Sequence, residues 1–243
     1  LVVLAKNQIG YENLVKLTTL SHLNGVRGRG IFSRPCIDKY LFKKYSEGLI
    51  CSTACLGGEI PQAILKGRND VAREVAAWYK EVLGDDFYLE IQDHGSIEDR
   101  IVNSEIVKIS EELDIQIIAT NDAHYVSKND IEAHDALICV LTGKLISDHK
   151  RLRYTGTEYI KSEEEMRSLF TDHLDKHVIN SAIENTVKLS NKVEEYSILG
   201  TYKMPNFPIP DSYKPIEYLK EITINGLKEI LDITKSEDFR SSY

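Results

Sequence analysis

Short apolar runs alternate along this chain with longer stretches whose apolar residues recur at helical spacing. That alternation limits it to an α/β fold with parallel strands. Residues 47–52 (EGLICS), 87–91 (FYLEI) and 115–120 (IQIIAT) read as strands, and the opening LVVLA already has strand character. Between them, 12–23, 37–45, 60–66, 69–83, 97–113 and 129–141 read as helices. Leu14, Val15, Leu17, Leu20 and Leu23 mark the first of these, and Ile101, Val102, Ile106, Ile109 and Leu113 line one side of the helix over 97–113. Gly84 is a stop signal, and Gly25, Gly28 and Gly30 predict a turn or loop. The rhythm fits part of a (β/α) barrel or an open doubly wound sheet, and the period alone does not choose between them.

Beyond residue 143 the pattern changes. Residues 144–160 are polar and loop-rich, and helices are expected over 162–170 and 177–193. Four of the six prolines fall in 199–215, which marks a linker, and a helix over about 215–231 follows it. The expected organisation is a domain over 1–198, a linker over 199–215 and the opening of a further region over 216–243. The chain starts mid-strand and without Met, so Leu1 is expected to be a truncation point.

Composition narrows the function classes. With 42% apolar and 28% charged residues among 243, the chain suits a soluble domain with a sizeable core. It has no apolar run long enough for a membrane and no signal peptide. A net charge of -8 does not suit a stand-alone nucleic-acid binder, so work on DNA would need metal ions or another domain to meet the phosphates. Cys36, Cys51, Cys55 and Cys139 are too sparse for a disulfide framework, so a reducing cytoplasm is the expected compartment.

In parallel α/β sheets functional residues gather beyond the carboxyl ends of strands. Here those ends carry Thr53-Ala54-Cys55, then Gln92-Asp93-His94-Gly95, then Asn121-Asp122-Ala123-His124. Asp122 and His124, two apart on extended chain, would point to one face, and a carboxylate with an imidazole suits Zn, Mn or Fe or acid–base work. The bland alternative is a capping Asp beside a surface His. Cys55 would be a soft ligand, although a free Cys is more often a small buried hydrophobe, and Cys51 reads as core. His94, with Asp93 and Glu90, is explained equally well by a turn or cap. His134 reads as structural, and His22, His149, His173 and His177 as polar or helical surface. Gly57-Gly58 could offer N–H groups to a phosphate but equally makes an ordinary turn, and Arg151-Leu152-Arg153-Tyr154 is a basic-aromatic cluster that a solvated loop also explains.

The stretches VVLAKNQIGYENLVKL (2–17), GLICSTACLGGEI (48–60), FYLEIQDHG (87–95), IIATNDAHYV (117–126), AHDALICVLTGK (133–144) and RYTGTEYIKSEEEM (153–166) resemble, in order and spacing, the PHP (polymerase and histidinol phosphatase) domain of bacterial DNA polymerase III alpha subunits. Their wording is close to cyanobacterial versions, and the resemblance runs from residue 1 to about 210. It implies a partial, distorted (β/α)7 PHP barrel followed by a linker and the start of a polymerase palm or thumb region. Family members hold up to three metals at the barrel mouth and hydrolyse phosphoesters. In many alpha subunits this site is a 3′–5′ proofreading exonuclease; in others it is a scaffold. Cys55, Asp122 and His124 match family ligand positions. The implied cofactors are Zn, Mn or Mg in this site and Mg in the polymerase; the implied partners are DNA, the sliding clamp and the clamp loader. The family's His-x-His motif with its Asp, and further His and Glu ligands, are expected upstream of Leu1, and the polymerase aspartates downstream. The chain alone is therefore expected to be inactive and weakly stable. Three readings follow: a proofreading or phosphoesterase module, a non-catalytic scaffold, or a stand-alone phosphatase. The linker and the helix after it argue against the third.

Overall fold

The computed structural model describes residues 1–30, 33–202 and 204–231. The chain opens with strand β1 (Val2–Ala5) and helix α1 (Gln8–Leu23). Helix α1 begins four residues before the expected start at 12, because the Asn7 side chain accepts the Gly10 N–H at 3.1 Å and caps it. A small hairpin of β2 (Val26–Arg27) and β3 (Arg34–Pro35) follows where the glycines predicted only a loop. Its strands are two residues long and exposed, too short to show any alternation.

Next come α2 (Lys39–Lys44), β4 (Leu49–Ser52), α3 (Glu59–Leu65), α4 (Asn69–Leu83), β5 (Phe87–Ile91), α5 (Ile97–Leu113) and β6 (Ile117–Ala119). The main sheet has the order β1-β4-β5-β6. Strands β4, β5 and β6 are parallel, as the alternation with helices implies. Strand β1 departs from that expectation and runs antiparallel to β4, pairing Val3 with Cys51. The cause is local: the excursion through α1 and α2 returns the chain beside the end of β1, where Lys6 N–H donates to Gly48 O at 2.8 Å. The barrel expectation therefore meets, among the described residues, an open four-stranded sheet with a mixed edge.

Every residue of β4, β5 and β6 is buried. One face (Leu49, Cys51, Phe87, Leu89, Ile91, Ile117) joins the main core with Ile60, Ala76, Val102, Ile106 and Ile109 from the helices. The opposite face carries a smaller cluster of Ile50, Tyr88 and Ile118, met by Leu189. Helix α5 opens with a reciprocal cap: Asp99 N–H donates to Ser96 Oγ at 3.0 Å, and Ser96 N–H returns to Asp99 Oδ2. Ser96→Ala is expected to lower stability by about 1 kcal/mol, read as a lower urea midpoint; an unchanged midpoint would show the cap to be idle.

Helix α6 (Ile131–Thr142) leads into an irregular stretch, after which α7 (Glu163–Ser168) and α8 (Lys176–Asn191) complete the first unit. A second unit begins at Leu199 and contains α9 (Pro215–Leu231). Of the region expected over 216–243, residues 232–243 lie outside the described residues. No helix among those described is long and apolar enough to cross a membrane.

Candidate metal centre

Because β4, β5 and β6 are parallel, their carboxyl ends open on one edge of the sheet. The chain turns sharply there. Ala54 has φ +62° and Asp122 φ +45°, and both sit in the left-handed region that L side chains other than Asn and Asp avoid. Ala54, beside Cys55, is the residue strained there, which fits the habit of functional sites to store backbone strain, while Asp122 is a type that tolerates this region.

His124 Nε2 lies 3.7 Å from Asp122 Oδ1, with both side chains open to solvent. They converge for a different reason from the one the sequence suggests. Strand β6 ends at Ala119, so the pair occupies a loop and not extended chain. The loop is held by a second one. His124 N–H and Tyr125 N–H both donate to Glu158 O, at 2.8 and 3.3 Å, and Ile160 N–H donates to Val126 O. Asn121 Nδ2 donates to Tyr159 O at 2.5 Å, and Lys161 Nζ reaches Asn121 Oδ1 at 3.0 Å and also Thr157 O. Glu158 is the anchor: its buried carboxylate accepts N–H groups from Thr155, Gly156 and Thr157, the Thr155 hydroxyl and the Tyr125 hydroxyl. Burial by itself would raise its pKa, but these hydrogen bonds together outweigh that and bring it down to about 2.

The Tyr154 ring packs 4.4 Å from His124 and 5.0 Å from His134, which belongs to α6. Its phenol is pushed up by burial first, then by the charges of Asp122, Glu158 and Cys55, so Tyr154 lies within electrostatic reach of two candidate ligands. His134, read from sequence as simply structural, sits 6.0 Å from His124, and its Nδ1 is buried without a hydrogen bond. Cys55 is half-buried in the same region, but its sulfur does not share a common 4.8 Å neighbourhood with Asp122 and His124. Cys51 is core, and burial pushes its thiol up to about 12.

A second cluster lies nearby. The ligand atoms of Asp93, Asp172 and His173 are all within 4.8 Å of one another, spacing that a cation can share. Each is also engaged by protein. His173 Nδ1 meets Asp172 Oδ1 at 2.7 Å, Nε2 meets Asn103 Nδ2 at 3.1 Å, and Arg100 bonds Asp172 at 2.6 Å. His173, expected on the surface, is 11% exposed. Besides the adjacent Asp172, its partners Asn103 and Asp93 lie 70 and 80 residues away, so no local pattern could reveal its burial. Arg151 likewise leaves the basic-aromatic cluster: its guanidinium, 2% exposed, forms a two-point ion pair with Asp135. Gly57-Gly58 leads into α3, whose first residue Glu59 brings a negative charge to that turn and pairs with Lys39 at 2.9 Å.

Residues 1–94 match the PHP domain family. A DNA polymerase III subunit alpha of Borreliella burgdorferi is 44% identical over 231 residues, which cover 94% of this chain. Proteins of the same name from Campylobacter jejuni and Thermus aquaticus are 41% and 34% identical over 99% and 93% of the chain. This chain carries a PHP domain of the DNA polymerase III alpha kind. It spans about a fifth of those relatives, 19% of the Borreliella protein. Within the PHP domain match lies Cys55; Asp122 and His124 lie beyond its end at His94.

The donors of this PHP domain fit a divalent cation in kind: a carboxylate and an imidazole 3.7 Å apart, with a thiol in the same region. Two groups make only part of a coordination sphere. Cys55 lies outside the common neighbourhood of the two, and a full sphere would need further donors.

Proposed function

We propose that the chain is part of a replicative DNA polymerase III alpha subunit, and that its PHP domain is a metal-dependent phosphoesterase that removes nucleotides from DNA 3′ ends. Coverage of 94% of the chain by a relative of that name is the observation that supports the reading most. Asp122 and His124 would hold a cation, Zn, Mn or Mg, and Cys55 would add a thiolate. When bound, such a cation supplies an activated water and stabilises the leaving oxygen. The protein's own part is to fix the donors: Glu158 clamps the loop that carries Asp122 and His124, and Tyr154 packs on the His124 ring. With a net charge of -8, the domain depends on cations or on other parts of the polymerase to meet DNA. Polymerisation itself, with its own Mg, would belong to residues outside this chain. The sliding clamp, the clamp loader and a cytoplasmic location follow from the same reading.

The test uses the full-length protein and a labelled single-stranded oligonucleotide. Asp122→Asn is expected to lower metal-dependent 3′–5′ digestion at least tenfold while DNA synthesis continues. Undiminished digestion would leave the scaffold reading standing. The stand-alone phosphatase reading finds no support in relatives of which the chain covers 19% and 22%.

A further inference from the structure

We propose that Glu90 is a positioning residue of this centre, tying together the two loops that carry Cys55 and the Asp122–His124 pair; the inference rests on the metal reading of those three residues. Glu90 lies on β5, the strand between β4 and β6. Its side chain is directed at neither of the donors themselves but at the segments that lead to them. Oε2 accepts the N–H of Ala54, the left-handed residue immediately before Cys55. Oε1 accepts the Thr120 hydroxyl at 2.7 Å, two residues before Asp122. The backbone is used as well: Glu90 N–H donates to Thr53 Oγ at 2.8 Å. Gln92, immediately after β5, adds a bond from its Nε2 to Thr120 Oγ at 2.8 Å.

Two features separate this arrangement from ordinary strand-end hydrogen bonding. First, an acid is used where a neutral amide would reach. Glu90 is 5% exposed, and no basic side chain pairs with it among the described residues. A buried carboxylate with two neutral donors and no counter-charge is expensive. It is worth keeping where a cation arrives within a few ångströms of the segments it holds. Second, the carboxylate is bidentate across strands. Ala54 and Thr120 do not bond to each other; each bonds to Glu90, so the separation between the two loops is set by the width of one carboxyl group. Outer-shell groups of this kind fix the orientation of metal ligands and set affinity without touching the metal.

The experiment is a cobalt titration of the metal-free full-length protein, following the thiolate-to-cobalt charge-transfer band, with Cys55→Ser as the control that assigns the band. In the parent protein the band appears and Cys55→Ser removes it. Glu90→Gln keeps the shape and an acceptor for Ala54 N–H but removes the charge, and is expected to bind cobalt several-fold more weakly than the parent with the thiolate band kept. Glu90→Leu is expected to bind at least tenfold more weakly, with the charge-transfer band lost or displaced, since Cys55 is no longer held. Thr120→Val cuts the tie on the β6 side alone. It is expected to weaken binding while the thiolate band persists, and it decides the matter if Glu90→Leu does not fold. If the parent shows the band and both Glu90→Leu and Thr120→Val match its affinity and spectrum, the positioning role is overturned. If the parent shows no thiolate band, the metal reading of Cys55 fails, and this inference fails with it.

Discussion

Gly10→Ala is expected to cost about 3–5 kcal/mol, a large share of a single domain's stability. Helix α1 meets the start of β4 at this point with no room for a side chain. A methyl group on Gly10 would stand 1.9 Å from Gly48 O and 2.6 Å from its carbonyl carbon. Both are backbone atoms, so no rotamer change can relieve the clash, and helix and strand must separate. That separation would also strain the Lys6 N–H bond to Gly48 O and the Asn13 bond to Glu47 O, 2.8 and 3.0 Å long. Gly48 faces the same constraint from the other side, at φ +72° and with Gly10 N 2.5 Å from where its Cβ would be. Gly48→Ala should therefore be similarly damaging, and the double variant less than additive because both open the same contact. Urea unfolding followed by circular dichroism reads the effect; a midpoint within error of the parent would show that the approach is looser than these distances.

Glu158→Ala is expected to cost about 3 kcal/mol, through three backbone N–H groups that lose their acceptor together. The loop over 154–160 turns around this carboxylate, and the loop carrying Asp122 and His124 is bonded to the same residue's carbonyl. A carboxyl whose pKa is lower folded than unfolded holds its proton less tightly in the folded state. Its contribution is therefore fully present above about pH 4.5 and is lost as pH falls through about 2. The parent should lose that increment of about 3 kcal/mol on acidification, whereas Glu158→Gln should show a flatter stability profile over the same window. Parallel profiles for the two proteins would mean that the depression does not exist.

The periodic part of the structure was legible in the residues. The helices over 69–83 and 97–113 and the strand over 87–91 coincide with α4, α5 and β5, because amphipathic runs and the largely apolar FYLEI are bounded there by Gly84, Ser96 and Gly95. The direction of β1 was not legible, since alternation reveals a strand and not its partner. For the candidate centre, strand ends pointed to Asp122 and His124, and the structure places them 3.7 Å apart. What pattern could not show is how they are held. Glu158 is 34 residues from His124 in sequence, and Glu90 acts on Ala54 and Thr120 across distances of 36 and 30 residues. His173 was misread for the same reason: side-chain bonds over such separations leave no trace in spacing.

The backbone ladder that fastens residues 124–126 to 158–160 also has a bearing on how this protein can vary. Everything between, α6 and the irregular stretch after it, leaves and re-enters through one narrow neck. Lengthening a tethered excursion is cheap, about 0.6 kcal/mol for each doubling. Insertions within the polar stretch over 143–150, away from His134 and Tyr154, can be accepted while the geometry at the neck, and with it the Asp122–His124 pair, stays as it is. That stretch is thus the place where a reporter or an affinity handle can be built in.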